Sequence, residues 1–508
     1  MKSCWLPIVA LFLLSLSASC DRPVNPGEEG LLTFSRDTVM FDTVFTTFLT
    51  PSERLIVFNE TGRTLSIDRV WLEDGADSEF NMIVDGIQAN DVQDLTILSG
   101  DSLHLFVNLK SKEKDELARD VIAFEINGEV QRVPVEAFIL DAYFLTARLA
   151  QEGDFLTVSG FFFRQDTTLT PDKPIIMDGP IFIPEGITVT ILPGTEIYFT
   201  PYQFGIRDSN SAPVFALYSW LIVDGTLKAE GTGDFPIVFQ GTRRDSLYLE
   251  NPAQWRGLWF REGSINSKLK HCEIKNGLLG VQVDGPSTNL SPKLLMQYCE
   301  VKNMGAHGII GTGFDRTGTA LNSPPSIIME NCIVNTCKQR TLAILGGGHY
   351  RFYNCTFANF SLFRFSRRTP QLLLTNWWYN EDGESIDVYP TDIELVNSIV
   401  WGSEDDEVVL DSVLAYDNLR FDHCLIKSSE EYQPFVLPHL FDGFMNVDPL
   451  FNDYFTRDYR PMAGSPVINT GVDFPLGSSF YLDDFRNRID SLRYDGFDIG
   501  AWEYYPIE

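Results

Sequence analysis

A phrase of four positions returns six times between residues 269 and 428, and it restricts the possible fold more than any other feature. An apolar residue is followed three positions later by cysteine, two later by a second apolar residue, and two later by asparagine or another small residue. The copies are Leu269/Cys272/Ile274/Asn276, Met296/Cys299/Val301/Asn303, Met329/Cys332/Val334/Thr336, Phe352/Cys355/Phe357/Asn359, Leu395/Ser398/Val400/Gly402 and Phe421/Cys424/Ile426/Ser428. Residues two apart on a strand share a face, so the cysteine and the apolar residue after it point the same way. The odd interval before the cysteine breaks that alternation. A corner therefore falls at His271, Tyr298, Asn331, Asn354, Asn397 and His423. Asparagine suits a corner because it tolerates the left-handed backbone region and hydrogen-bonds locally.

Successive cysteine-type positions lie 27, 33, 23, 43 and 26 residues apart. Coils of ~20–30 residues fit three short strands with their turns. Repeated units that each bury one signature make a solenoid, and this period of strands makes it a parallel β-helix. The expectation is a ladder of buried, unpaired thiols rising ~4.8 Å per coil. The cysteines lack the short paired spacing of a zinc site. The 43-residue interval places a long excursion at about residues 361–392.

Upstream, residues 31–141 read as a separate all-β module. Alternation runs through Leu32 to Phe45, further strands are expected at 54–58, 65–72, 103–109, 121–126 and 130–138, and Asn127-Gly128 is a hairpin turn. About seven short strands over ~110 residues point to an immunoglobulin-like sandwich. The segment resembles the Hydin-type immunoglobulin-like domain that precedes β-helices in Bacteroidota lipoproteins, which implies a spacer or adaptor role. From Ile175 onward, strands alternate with Glu185-Gly186, Pro193-Gly194 and Asp224-Gly225 turns. That stretch resembles the opening coils of right-handed β-helix proteins of the pectate-lyase type. The fold class expected is thus all-β, a right-handed parallel β-helix preceded by an immunoglobulin-like β-sandwich.

Both ends carry further signals. Lys2, an apolar run from Trp5 to Leu16 and Ser17-Ala18-Ser19-Cys20 resemble a bacterial lipoprotein signal peptide, although Ser17 stands where leucine is usual. The resemblance implies a signal peptide over 1–19, lipidation at Cys20 and a tether over 20–30. It also implies a cell-envelope location, on the periplasmic face or outer surface of the outer membrane. Asp448-Pro449-Leu450-Phe451, Gly464-Ser465-Pro466-Val467-Ile468-Asn469 and Asp498-Ile499-Gly500-Ala501-Trp502-Glu503 resemble the choice-of-anchor Q ending of bacterial surface proteins. Tryptophan here replaces that ending's usual tyrosine. With the β-helix assigned to 142–445, residues 446–508 are expected to cap the last coil.

A net charge of −31 repels anionic polymers and argues against nucleic acid as a partner. Against that background, residues 331–380 contain no Asp or Glu yet carry Lys338, Arg340, Arg351, Arg364, Arg367 and Arg368, with His349 and the run Trp377-Trp378-Tyr379. Guanidinium groups pair with carboxylate or sulfate, and aromatic rings stack on sugar faces. Lys338, Arg340, His349 and Arg351 are the catalytic candidates for a lyase, which needs a base and a cation beside a uronate. Arg364, Arg367, Arg368, Trp377, Trp378 and Tyr379 are the ligand-binding candidates. The bland reading is that the basic residues offset neighbouring carboxylates such as those at 404–407. No cofactor is expected. The cluster Glu404-Asp405-Asp406-Glu407 with Asp411 offers oxygen ligands for Ca²⁺, but it also reads as a solvated turn.

The leading expectation is a membrane-anchored envelope lipoprotein without catalysis, holding a polysaccharide or an envelope protein on one β-helix face. A polysaccharide lyase for an acidic glycan and a purely structural stalk or adhesin are the alternatives.

Overall fold

The computed structural model describes residues 32–45, 52–110, 116–152, 155–201, 205–207, 213–216, 219–243, 249–314, 322–362, 366–379, 383, 385–413, 415–472 and 496–504. The stretches expected to be the signal peptide and the tether, with Cys20, and Arg364 lie outside them. The chain divides into two compact units, 1–141 and 142–508.

The first unit has two five-stranded sheets that share one core. Pairing is antiparallel except where Val39–Phe45 lies parallel to Glu129–Leu140. Buried residues alternate with more exposed ones along strands such as Ser102–Leu109, where Leu103, Leu105, Val107 and Leu109 point inward. Asn127 (φ 52°) and Gly128 (φ 83°) form the two-residue turn between the longest strands. Both central residues have positive φ, as a type I′ hairpin requires.

The second unit is a parallel β-helix. Three long sheets run its length: sheet 1 from Tyr143–Thr146 to Phe444–Met445, sheet 2 from Arg148–Glu152 to Val408–Asp411, and sheet 3 from Thr167–Leu169 to Leu440–Phe441. They hold 11, 10 and 10 strands among the described residues. Pairing is parallel from coil to coil once Phe155–Phe162 has reversed against Arg148–Glu152. A single apolar core fills the bore. Each fully buried aliphatic or phenyl side chain there contributes roughly 1.5–3 kcal/mol.

The six corner residues all sit where the sequence places them, between sheets 3 and 1. Their φ values are His271 44°, Tyr298 53°, Asn331 49°, Asn354 48°, Asn397 48° and His423 48°. Each corner amide stays hydrogen-bonded, because its N–H donates to the carbonyl one coil on: His271 to Gln297, Tyr298 to Glu330, Asn331 to Tyr353, Asn354 to Val396, Asn397 to Asp422 and His423 to Phe441. Cys272, Cys299, Cys332, Cys355 and Cys424 are buried in the bore as free thiols, and Ser398 is buried with them. The Cys337 thiol is free and buried too.

Two local arrangements differ from the sequence expectations. The long excursion is not one loop. Leu372–Thr375 continues sheet 2, and the added length is split between residues 360–371 and the antiparallel hairpin Trp377–Tyr379/Ile386–Val388. Among the described residues, the buried apolar side chains of the tail do not cover the end of the last coil. Phe451, Tyr459, Val467, Ile499 and Ala501 pack instead on Ile333, Ala358, Ile399 and Leu425, which project from the outer face of sheet 1. These four apolar residues on the outer face need a cover, and the tail provides it. Asp498 pins that cover by accepting the amides of Asn469 and Tyr504. The bore is stoppered by the short helix Gln433–Val436, whose Val436 joins the core.

Candidate functional site

The deepest chemical contrast on the β-helix lies on the outer face of sheet 2. Leu258 and Phe260 fill the bore, so Trp259 between them faces outward; Phe182 does the same between Ile181 and Ile183. Parallel register aligns Phe162 with Phe182, Phe182 with Ile222, Ile222 with Trp259, and Trp259 with Gln282. The rings pair face to face: Phe162 and Phe182 at 4.5 Å and 7°, Trp220 and Trp259 at 4.8 Å and 17°. Arg256 lies over Trp220 at 4.6 Å and Arg261 over Trp259 at 5.4 Å.

A cleft of about 710 Å³ opens over this column, edged by Glu185, Asp224, Glu262 and Asp284. Arg261 Nε stands 3.3 Å from Asp224. Asp284 accepts the Trp259 indole N–H at one oxygen, and at the other Gln282 Nε2 (3.0 Å) and Thr312 Oγ1 (2.9 Å). With three donors on its two oxygens, the Asp284 carboxylate holds its neighbours in place and can accept ligand hydroxyls. Beneath the rim lies Lys293, fully buried, donating to the backbone oxygens of Asp284, Glu262 (3.1 Å) and Arg261 (3.4 Å). Burial draws its ammonium down to about 8, against the pull of Asp284 and Glu262.

An aromatic platform framed by carboxylates is suited to pyranose rings, whose apolar faces stack while their hydroxyls donate. Four carboxylates against Arg261 leave the rim negative, which disfavours uronates and sulfates.

The basic residues singled out in the sequence do not meet in one cleft. Lys338, Arg367 and Arg368 lie between sheets 1 and 2, and Arg340 opens the sheet 2 strand Arg340–Leu345. Lys338 and Arg368 are exposed, Arg340 donates to the Pro370 carbonyl at 2.8 Å, and Arg367 is buried against Glu407. His349 and Arg351 belong to sheet 3, on the strand Gly348–Tyr353. There His349 Nδ1 lies 2.8 Å from the Ser323 carbonyl and Nε2 lies 3.4 Å from Asp392. Arg351 holds Asp392 at 2.7 Å and Glu394 at 3.5 Å. Burial raises the Asp392 carboxyl, but Arg351 outweighs it and keeps that group below its usual range.

Trp377, Trp378 and Tyr379 form one strand of the hairpin between sheets 2 and 3. The Trp377 indole donates to Asp411 at 3.1 Å, while Trp378 and Tyr379 are exposed and Phe314 stands 5.8 Å from Trp378. In the acidic cluster, Asp406 accepts Ser428 and Ser429, and Glu407 accepts Arg367. Asp422, His423 and Asp442 also approach one another closely enough for one cation, though Asp422 is already paired with Arg420 at 2.7 Å.

No family model matches the chain, and no curated protein sequence matches it. Solved structures with partial likeness include a family 123 glycoside hydrolase from Clostridium perfringens, at 7% identity over 21% of this chain and 25% of that one, TM-score 0.16. The E. coli chaperone DraB matches at 14% identity over 22% of this chain and 54% of its own, TM-score 0.16. The Salmonella enterica SafA pilin in complex with the SafB chaperone matches at 9% identity over 26% and 68%, TM-score 0.17. The chain thus spans about a quarter and about half of the first two, and at these TM-scores the likenesses assign neither fold nor activity.

Proposed function

We propose that this protein is an exported, lipid-anchored envelope protein whose β-helix binds a neutral glycan along the outer face of sheet 2. The observation that carries the reading is the coil-to-coil column of Phe162, Phe182 and Trp259, with Trp220 stacked beside it, under a rim of carboxylates. Export, lipidation at Cys20, an immunoglobulin-like N-terminal unit and a right-handed sense rest on the sequence resemblances. The cleft points away from an acidic-glycan lyase, because its rim is negative and the cationic candidates sit elsewhere, with Arg351 and Arg367 held by carboxylates.

The test is affinity chromatography and calorimetry of the mature chain on xylan, mannan, β-glucan, polygalacturonate and alginate. Retention by a neutral polymer, weakened by Trp259→Ala by about 1–3 kcal/mol as loss of one stacking platform implies, supports the reading. Retention by acidic polymers alone, with release of unsaturated uronate, favours the lyase. No retention on any polymer favours a structural stalk.

A further inference from the structure

Lys293 is a fully buried cation beneath the rim of the cleft. It precedes the sheet 3 strand Leu294–Gln297, yet its side chain runs back to the corner between sheets 2 and 3. There it takes three main-chain oxygens from two successive coils. Arg261 and Glu262 follow the strand Leu258–Phe260, and Asp284 ends the strand Leu279–Asp284. These are rim residues of the cleft. Asp284 is bound twice over: its carbonyl by Lys293, its carboxylate by the Trp259 indole, Gln282 and Thr312. Gly285, at φ +69°, keeps the contact close, since a Cβ there would lie 3.3 Å from Glu262 Cγ and 3.7 Å from Lys293 Nζ.

We propose that Lys293 is the positioning residue of this cleft, its ammonium clamping both rims, and that the loss of one N–H from that ammonium loosens the cleft and releases its ligand. The consequence for ligand capture rests on the glycan reading; the clamp itself does not. An ammonium has three N–H donors for three carbonyls, whereas a neutral amine has two and turns a lone pair toward the third. One rim oxygen then loses its partner and moves away, and Asp284 shifts the indole it holds.

Burial places the titration at about 8, within reach of ordinary buffers. The charged groups that face Lys293 are Asp284 and Glu262, which favour the ammonium; the Arg261 guanidinium is turned to Asp224 and Trp259. Its other backbone neighbours, Ser267 and Pro325, are uncharged. The sign separates this effect from unfolding. Between about 8 and the ordinary lysine value the unfolded chain holds a proton that the folded chain has released, so this group's contribution to stability rises with pH. Binding falls over the same window.

The experiment is a pH titration of the mature chain labelled with ¹⁵N-tryptophan, with the Trp259 indole resonance assigned by Trp259→Phe. The expected result is a shift with its midpoint within about one unit of pH 8, absent in Lys293→Arg and Lys293→Met. In parallel, affinity for xylohexaose and cellohexaose is expected to fall about fivefold or more across that midpoint in the wild type, and to stay flat in Lys293→Arg. If Lys293→Met does not fold, the wild type and Lys293→Arg decide. A Trp259 resonance that stays still, or that titrates equally in Lys293→Arg, overturns the clamp. A titrating indole with unchanged affinity overturns the release step. A titrating indole with no binding of either oligosaccharide at any pH overturns the glycan reading and supports the clamp.

Discussion

Arg367 and Glu407 meet as a bidentate ion pair, at 2.8 and 2.6 Å, with side-chain exposures of 1% and 0%. Arg367 also donates to the Asn359 carbonyl, and Glu407 accepts the amides of Glu404 and Gln371. The pair straps residues 360–371 to the following coil. Burial pushes the Glu407 carboxyl up, against the pull of Arg367. Arg367→Met is expected to cost about 3–5 kcal/mol, since it leaves a buried carboxylate alone. The sign follows from the orphaned acid: its folded value rises further above the unfolded one, so the deficit shrinks in mild acid and grows toward neutral pH. Urea melts in mild acid and above neutral pH check this, and an equal deficit at both would contradict it.

Glu330 is buried on the outer face of sheet 3, where burial raises its carboxyl to about 7 despite a 2.6 Å hydrogen bond from Gln297. Because the folded value exceeds the unfolded one, stability is lost as pH climbs through this window. Glu330→Gln is expected to stabilise the protein by up to roughly 3 kcal/mol above neutral pH and to change little in acid. Thermal melts of both proteins across that range are the measurement; a variant less stable than wild type above neutral pH refutes the assignment.

Cys299 is completely buried in the bore, with its thiol pushed well above the ordinary range by desolvation. Cys299→Asp is expected to cost about 4 kcal/mol or more, by bringing an unpaired charge into the core. Cys299→Ser is expected to be far milder. Ser398 fills the equivalent rung, donating to Val396 at 3.0 Å and accepting the Cys355 amide at 3.2 Å. An unchanged urea midpoint for the aspartate variant would refute the inward orientation.

Cys20→Ser tests the anchor. Fractionated cells are expected to hold wild type with the membranes and the variant in the soluble fraction. A variant that stays with the membranes points to another means of attachment.

The inward ladder and its corners were legible because both are local. Cys272 lies three positions after Leu269, and that odd interval alone locates His271. The cleft was not legible, because Phe182 and Trp259 stand 77 positions apart and only coil register aligns them. The basic window was visible as composition, but three-sheet topology sends Arg340 and Arg351 to different sheets. Glu394 and Glu407, the partners of Arg351 and Arg367, lie outside the window that looked unopposed. The tail was expected to cap the last coil, whereas its described apolar residues cover the outer face of sheet 1, a surface that only coil stacking brings together.

Each coil from Leu269 onward passes from sheet 3 to sheet 1 through one left-handed residue, while coil length varies from 23 to 43 residues. All of that variation is therefore absorbed at the other two corners. One added residue at a sheet 3–1 corner would put the next coil's bore residues out of phase with those below. An insertion between Tyr379 and Ile386 would fall between the two strands of a hairpin. The solenoid thus has one seam that keeps count and two margins open to new sequence, and foreign loops should be grafted onto those margins.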